Sequence, residues 1–171
     1  MIKPLPKPQF SAPQTDLKLL PPQVGRIRSK ILDVAREGNI DKLRSPIEWN
    51  ELQPMFDLSK SGAEHLTPGL DPIKFLKSLS FDKNGAEILR ILVAVFESPF
   101  CQMQQGKYLS YVWPAFAFLP PATATDDEKI NQYKCLRFID LGKTGEDGRP
   151  PFYRANIGAD GTWHWFWTRG A

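Results

Sequence analysis

Between Gln23 and Glu37 the apolar residues Val24, Ile27, Ile31 and Val34 recur at spacings of three and four, the signature of one helical face. Arg26, Arg28, Lys30 and Arg36 occupy the other faces. Gly38 stands where a helix commonly turns left-handed to stop. Asn39 can cap a short second helix through Arg44, with Ile40 and Leu43 inward and Pro46 ending it. Residues 46–70 read as an ordered loop with little regular structure. Asp71-Pro72 then supplies an N-cap and a proline at the first helical position, which predicts a helix to Leu79. Asn84 to Glu97 is apolar on nearly every side, so it is expected to be a central, buried helix. Asn84 and Glu87 stand at the two positions of a capping box.

Two strand-like runs follow, Phe100 to Gln104 and Tyr108 to Trp113, with Gly106 between them as a hairpin turn. Thr125 and Glu128 form a second capping box, which opens a helix expected to reach Ile139. Phe152 to Ile157 and Thr162 to Trp167 predict a closing hairpin. The order of elements gives an α+β fold: helices packed on a small antiparallel sheet built from two hairpins. In the last hairpin, Gly161 suits the left-handed position of a three-residue loop, Ala159 to Gly161. That register would put Trp163, Trp165 and Trp167 on one apolar face with Ile157, Ala155 and Tyr153. His164 and Phe166 would share the other face with Asn156 and Arg154.

The first 22 residues contain six prolines, which favour extended backbone without amide donors. They read as a basic arm or linker (1–22) ahead of a single domain (23–171), and removing them is expected to cost little stability. Residues 1–36 carry seven Lys/Arg against two Asp, so the net charge of +3 belongs to the lead and the remainder sums to −2. A charge this small does not predict a nucleic-acid partner. No apolar run approaches the roughly 18 residues that span a bilayer, so no transmembrane segment is expected. The opening residues lack the apolar stretch of a secretory signal.

Imidazoles are limited to His65 and His164, and there is no CxxC or HxxxH, so neither a metal site nor a cofactor is predicted. Cys101 and Cys135 could bridge in an oxidising compartment or remain free, buried thiols. Gly142-Lys143-Thr144 ends like a phosphate loop, but Arg137 stands where the first glycine belongs. The loop carboxylates, among them Glu48, Glu51, Asp57, Glu64, Asp71 and Asp82, could supply an acid–base pair if two converged on a cleft. The aromatic residues are the unusual feature: five lie between Tyr108 and Phe118, and six more close the chain. Aromatic strands build cores, and they also build stacking platforms. The candidate ligand-binding residues are Tyr108, Tyr111, Trp113, Arg154 and His164; no catalytic residue is assigned.

The run Ala35 to Arg44, the Tyr-Val-Trp-Pro segment at 111–114 and the closing Gly-x-Asp-Gly-Thr-Trp-His at 158–164 resemble a group of uncharacterised bacterial proteins over residues 24–167. The helix–Gly–helix opening and final hairpin are also loosely similar to the nuclear-transport-factor-2-like, or cystatin-like, fold. Members of the group typically carry a signal peptide before the domain. The resemblance implies a bacterial envelope protein, periplasmic or secreted, with residue 1 following the signal; a cytoplasmic location is the alternative. It brings no activity with it. The expected function is a non-enzymatic domain that binds a protein or small ligand in the envelope. The alternatives are a small hydrolase using loop carboxylates or Cys101, and a glycan-binding module using exposed tryptophans.

Overall fold

The computed structural model describes residues 4–56, 71–145 and 147–168. The first apolar stripe becomes α1 (Pro22–Glu37), and Val24, Ile27, Ile31 and Val34 are all buried. Gly38 closes it with φ +77°. Asn39 accepts from the Asp41 backbone N–H and opens a 3-10 turn, Ile40–Leu43. The chain does not stop at Pro46, which falls in the first turn of α2 (Arg44–Glu48), where no amide donor is required. Asp71 caps α3 (Pro72–Leu79) through the Ile73 N–H.

The central helix is α4 (Ala86–Glu97), and its cap differs from the one expected. Asn84 does not cap it. Asp82 instead accepts from the backbone N–H groups of Asn84, Ala86 and Glu87 and from the Ser80 hydroxyl. Glu87 turns outward to accept from the Phe81 and Phe138 amides. Gly85 precedes the helix at φ +94°, and a Cβ there would stand 2.4 Å from Ile40 Cδ1, so glycine is needed for both conformation and space. At the other end Arg28, buried in α1, donates twice to the Phe96 carbonyl, at 3.0 and 2.7 Å, satisfying an acceptor that the helix itself leaves open.

The fold is α+β. Five strands form one antiparallel sheet in sequential order: β1 (Gln9–Phe10), β2 (Cys101–Gln105), β3 (Tyr108–Trp113), β4 (Arg154–Gly158) and β5 (Trp163–Trp167). The two hairpins are β2–β3 and β4–β5, and β1 comes from the proline-rich lead. The lead continues along β2, with Gln14 and Phe100 exchanging backbone hydrogen bonds of 2.7 and 2.9 Å, and Leu20 enters the core.

Directly opposed residues in antiparallel strands share a face. Tyr111, Ile157 and Trp163 lie abreast, as do Trp113, Ala155 and Phe166, and this face packs on the helices in the main core. Cys101, Val112, Asn156 and Trp165 lie abreast on the second face, under Phe10, Met55, Phe118 and Leu119. The two cysteines are free and buried, Cys135 in the main core and Cys101 in the second cluster, so the disulfide alternative is not what the fold adopts.

The closing hairpin corrects the expected register. The three-residue loop is present: Gly158 N–H donates to the Thr162 carbonyl at 2.8 Å, and Gly161 takes φ +90°. Trp163 accordingly opposes Ile157. The ladder then slips, and Trp165 opposes Asn156 while Trp167 opposes Arg154. His164 is the extra residue of a β-bulge, and every side chain after it changes face. The backbone of Met55 accompanies the slip, donating to His164 O at 2.9 Å and accepting from Phe166 N–H at 3.0 Å.

The helix opened by Thr125 is also shorter than expected. The capping box forms, with Glu128 Oε2 2.8 Å from the Thr125 N and Thr125 Oγ1 3.2 Å from the Glu128 N. However, α5 ends at Asn131 and gives way to 3-10 turns at 132–135 and 138–140.

Candidate functional site

The five sequence candidates do not come together. Tyr111 and Trp113 are closed to solvent, and Trp113 lies between the rings of Phe96 and Phe100 at 5.3 and 5.6 Å. They are packing residues. Arg154, expected on an open polar face, is 1% exposed. It is held by Asp147 at 2.8 Å and by the Thr168 carbonyl at 2.9 Å, and burial lowers its pKa. Tyr108 is exposed at the start of β3, beside its neighbour Lys107. His164 lines a cleft at the tip of the β4–β5 hairpin, whose described lining includes none of the other four. His65, Asp57 and Glu64 lie outside the described residues.

Two clefts hold the side chains considered as candidates. The larger, about 650 Å³, runs along α4 against the segment that leaves α5. Its floor is Ala86, Ile91, Val93, Ala94 and Leu136, and Phe81 and Tyr133 rise at its rim, both largely exposed. Phe81 meets Phe138 edge-on, with ring centroids 5.2 Å apart. The expectation that α4 is buried on every side is therefore corrected: its Arg90–Ala94 flank is open. The groove exists because the chain leaves helical geometry after Asn131. A continuous helix through Ile130, Tyr133 and Arg137 would have presented these residues on one face; here Ile130 and Tyr133 are exposed.

The charged groups of this groove differ in how they are engaged. Each of its carboxylates is engaged. Asp82 serves the Ser80 hydroxyl and the α4 amides, which hold its pKa well below the usual carboxylate range. Glu87 binds two amides, and Glu97 pairs with Arg36 at 2.6 Å. Arg90 and Lys134 also line the groove, are exposed, and have no ion-pair partner among the described residues.

The second cleft, about 560 Å³, lies between residues 49–55 and the tip of the β4–β5 hairpin. Asn50 joins the two: its Oδ1 accepts from the Trp163 N–H at 2.7 Å, while its amide donates to the Pro46 and Ile47 carbonyls. That leaves Trp49 projecting, 60% exposed. His164 and Asp160 lean over Gly158, whose missing Cβ would stand 2.7 Å from His164 Nε2 and 2.8 Å from Asp160 Oδ1. Burial lowers the His164 pKa and Asp160 pulls it back up. Asp160 is kept below its ordinary value first by the Thr162 backbone N–H.

Neither thiol reaches a cleft, and burial pushes both Cys101 and Cys135 up to about 12. No group of three or more potential metal ligands occurs among the described residues. No helix among them is long and apolar enough to cross a membrane. Arg90 is legible in the sequence as a break in the apolar run of α4; Tyr133 and Lys134 are not, because a longer α5 would have placed them otherwise. The chain matches no family model, no curated protein and no solved structure.

Proposed function

We propose that this chain is a non-enzymatic binding domain whose principal ligand is a small amphiphile bearing an acid group, held in the groove along α4. The observation that carries this reading is a difference inside an apolar cleft: each lining carboxylate has a hydrogen-bond or ion-pair partner, and Arg90 and Lys134 have no ion-pair partner among the described residues. An apolar floor of this volume suits a drug-sized ligand, and a few polar groups at the rim fix its orientation. Two cations over apolar walls favour a carboxylate- or phosphate-headed molecule over a neutral one. Compared with the hydrolase reading, the groove offers no free acid–base pair, since Asp82 and Glu87 spend their oxygens on backbone amides. The bacterial envelope is the compartment we propose, on the resemblance carried by residues 35–44, 111–114 and 158–164.

The test is displacement of a fluorescent naphthalene sulfonate by dodecanoate, dodecanol and dodecyltrimethylammonium. Dodecanoate should compete best. Arg90→Gln with Lys134→Gln should weaken it several-fold, as loss of exposed charge contacts does, and leave dodecanol unchanged. Equal competition by all three, or turnover of an ester probe, would overturn the reading.

A further inference from the structure

We infer that the cleft at the hairpin tip is a second binding site, built for an organic ammonium ion. The groove along α4 is lined by charges of both signs, and the described lining of this cleft carries carboxylates without a lysine or arginine. Glu51 and Asp160 line the hairpin-tip cleft, and among the described residues no lysine or arginine does. Neither carboxylate has an ion-pair partner among the described residues; Glu51 is exposed, and Asp160 Oδ1 accepts from the Thr162 backbone N–H at 3.0 Å, which leaves its charge in place. The lysines and arginine nearest Trp49 line the adjoining cleft, where Glu37, Asp41 and Glu48 accompany them.

Trp49 supplies the second half of the recognition. The negative π face of an exposed indole attracts cations more strongly than any other side-chain ring. This ring already does so on the side toward α1, where Lys30 Nζ lies 5.4 Å from its centroid. The same ring lines the hairpin-tip cleft as well. An ammonium group there would meet the indole, the Glu51 and Asp160 carboxylates and, with its pKa lowered, an uncharged His164 imidazole. The hairpin tip makes this arrangement: His164 and Asp160 both lie over Gly158, where a Cβ would stand 2.7 Å from His164 Nε2 and 2.8 Å from Asp160 Oδ1.

Titration of the full chain with choline chloride, followed by indole fluorescence and by calorimetry, tests the inference. Binding in the millimolar range is expected. Trp49→Ala should weaken it at least tenfold, and Glu51→Gln and Asp160→Asn severalfold each, with melting temperatures close to that of the parent because all three residues are exposed. Cellobiose and acetate should not bind. Three results would overturn the inference: no choline binding, choline binding indifferent to Trp49→Ala, or cellobiose binding that depends on Trp49. The last would make the cleft a saccharide site. Dodecanoate competition at the α4 groove should be unaffected by these variants, so the two sites succeed or fail separately.

Discussion

Trp163 and Trp165 stand two residues apart in one strand yet face opposite sides of the sheet. Trp163 packs edge-on against Phe56 at 5.4 Å in the main core, while Trp165 stacks on Trp167 at 5.1 Å in the second cluster. The two should therefore differ in cost. Trp163→Ala is expected to destabilise by roughly 3–5 kcal/mol, the usual range for a buried Trp truncation. Trp165→Ala should cost less, about 1–3 kcal/mol, because its cluster is smaller and nearer the surface. Denaturant unfolding of both variants measures this; equal losses would contradict the bulge at His164.

The proline-rich lead is an edge strand and not a free tether. Phe10 packs against Phe118 with centroids 5.4 Å apart, and Ser11 exchanges hydrogen bonds with Gln102 at 3.0 and 2.9 Å. Removing residues 1–14 bares the β2 edge and part of the second cluster. The melting temperature should fall by about 4–8 °C, equivalent to roughly 2 kcal/mol for a chain of this size. The bared edge should also promote association, detectable by light scattering as concentration rises.

Burial governs the cysteines. With both thiols pushed up to about 12, native protein should react negligibly with a disulfide reagent at pH 8. Unfolded, unreduced protein should release two thiols. A count of zero after unfolding would mean that the chain can bridge Cys101 to Cys135.

His164 sets an acid-side slope in stability. Its folded pKa lies below the ordinary 6.5, so between those values the unfolded chain binds the proton more readily than the fold does. Stability should fall as pH drops through 6.5 and level off below the folded value. His164→Gln should flatten that part of the profile, leaving the losses from Asp82 and Asp160 at more acidic pH in place. Thermal melts of both proteins between pH 7.5 and 4.5, a range of roughly three units around that titration, read the difference.

Local chemistry determined much of this protein. The α1 stripe, the Gly38 stop, the Asp71 and Thr125 caps and the three-residue loop at Gly161 each depend on residues within a turn of one another, so short stretches of chain suffice to specify them. Hydrophobic alternation likewise made both hairpins, and with them the α+β class, legible. What tertiary structure decided depends on how the elements are joined and packed, in most cases by partners distant in the chain. Asp82 displaced Asn84 as the α4 cap because the turn between α3 and α4 brings its carboxylate under three amides. The α5 helix stops early because the Cys135 carbonyl accepts from Tyr153 N–H at 2.8 Å and Glu87 accepts from Phe138 N–H, bonds that a continued helix could not make. That early stop opens the groove along α4. The bulge at His164 answers to the Met55 backbone more than a hundred residues earlier in the chain. The aromatic residues were conspicuous in the sequence, but a strand's faces are assigned by pairing, so only the assembled sheet could send Tyr111, Trp113 and Trp163 to the helix side and Trp165 to the other.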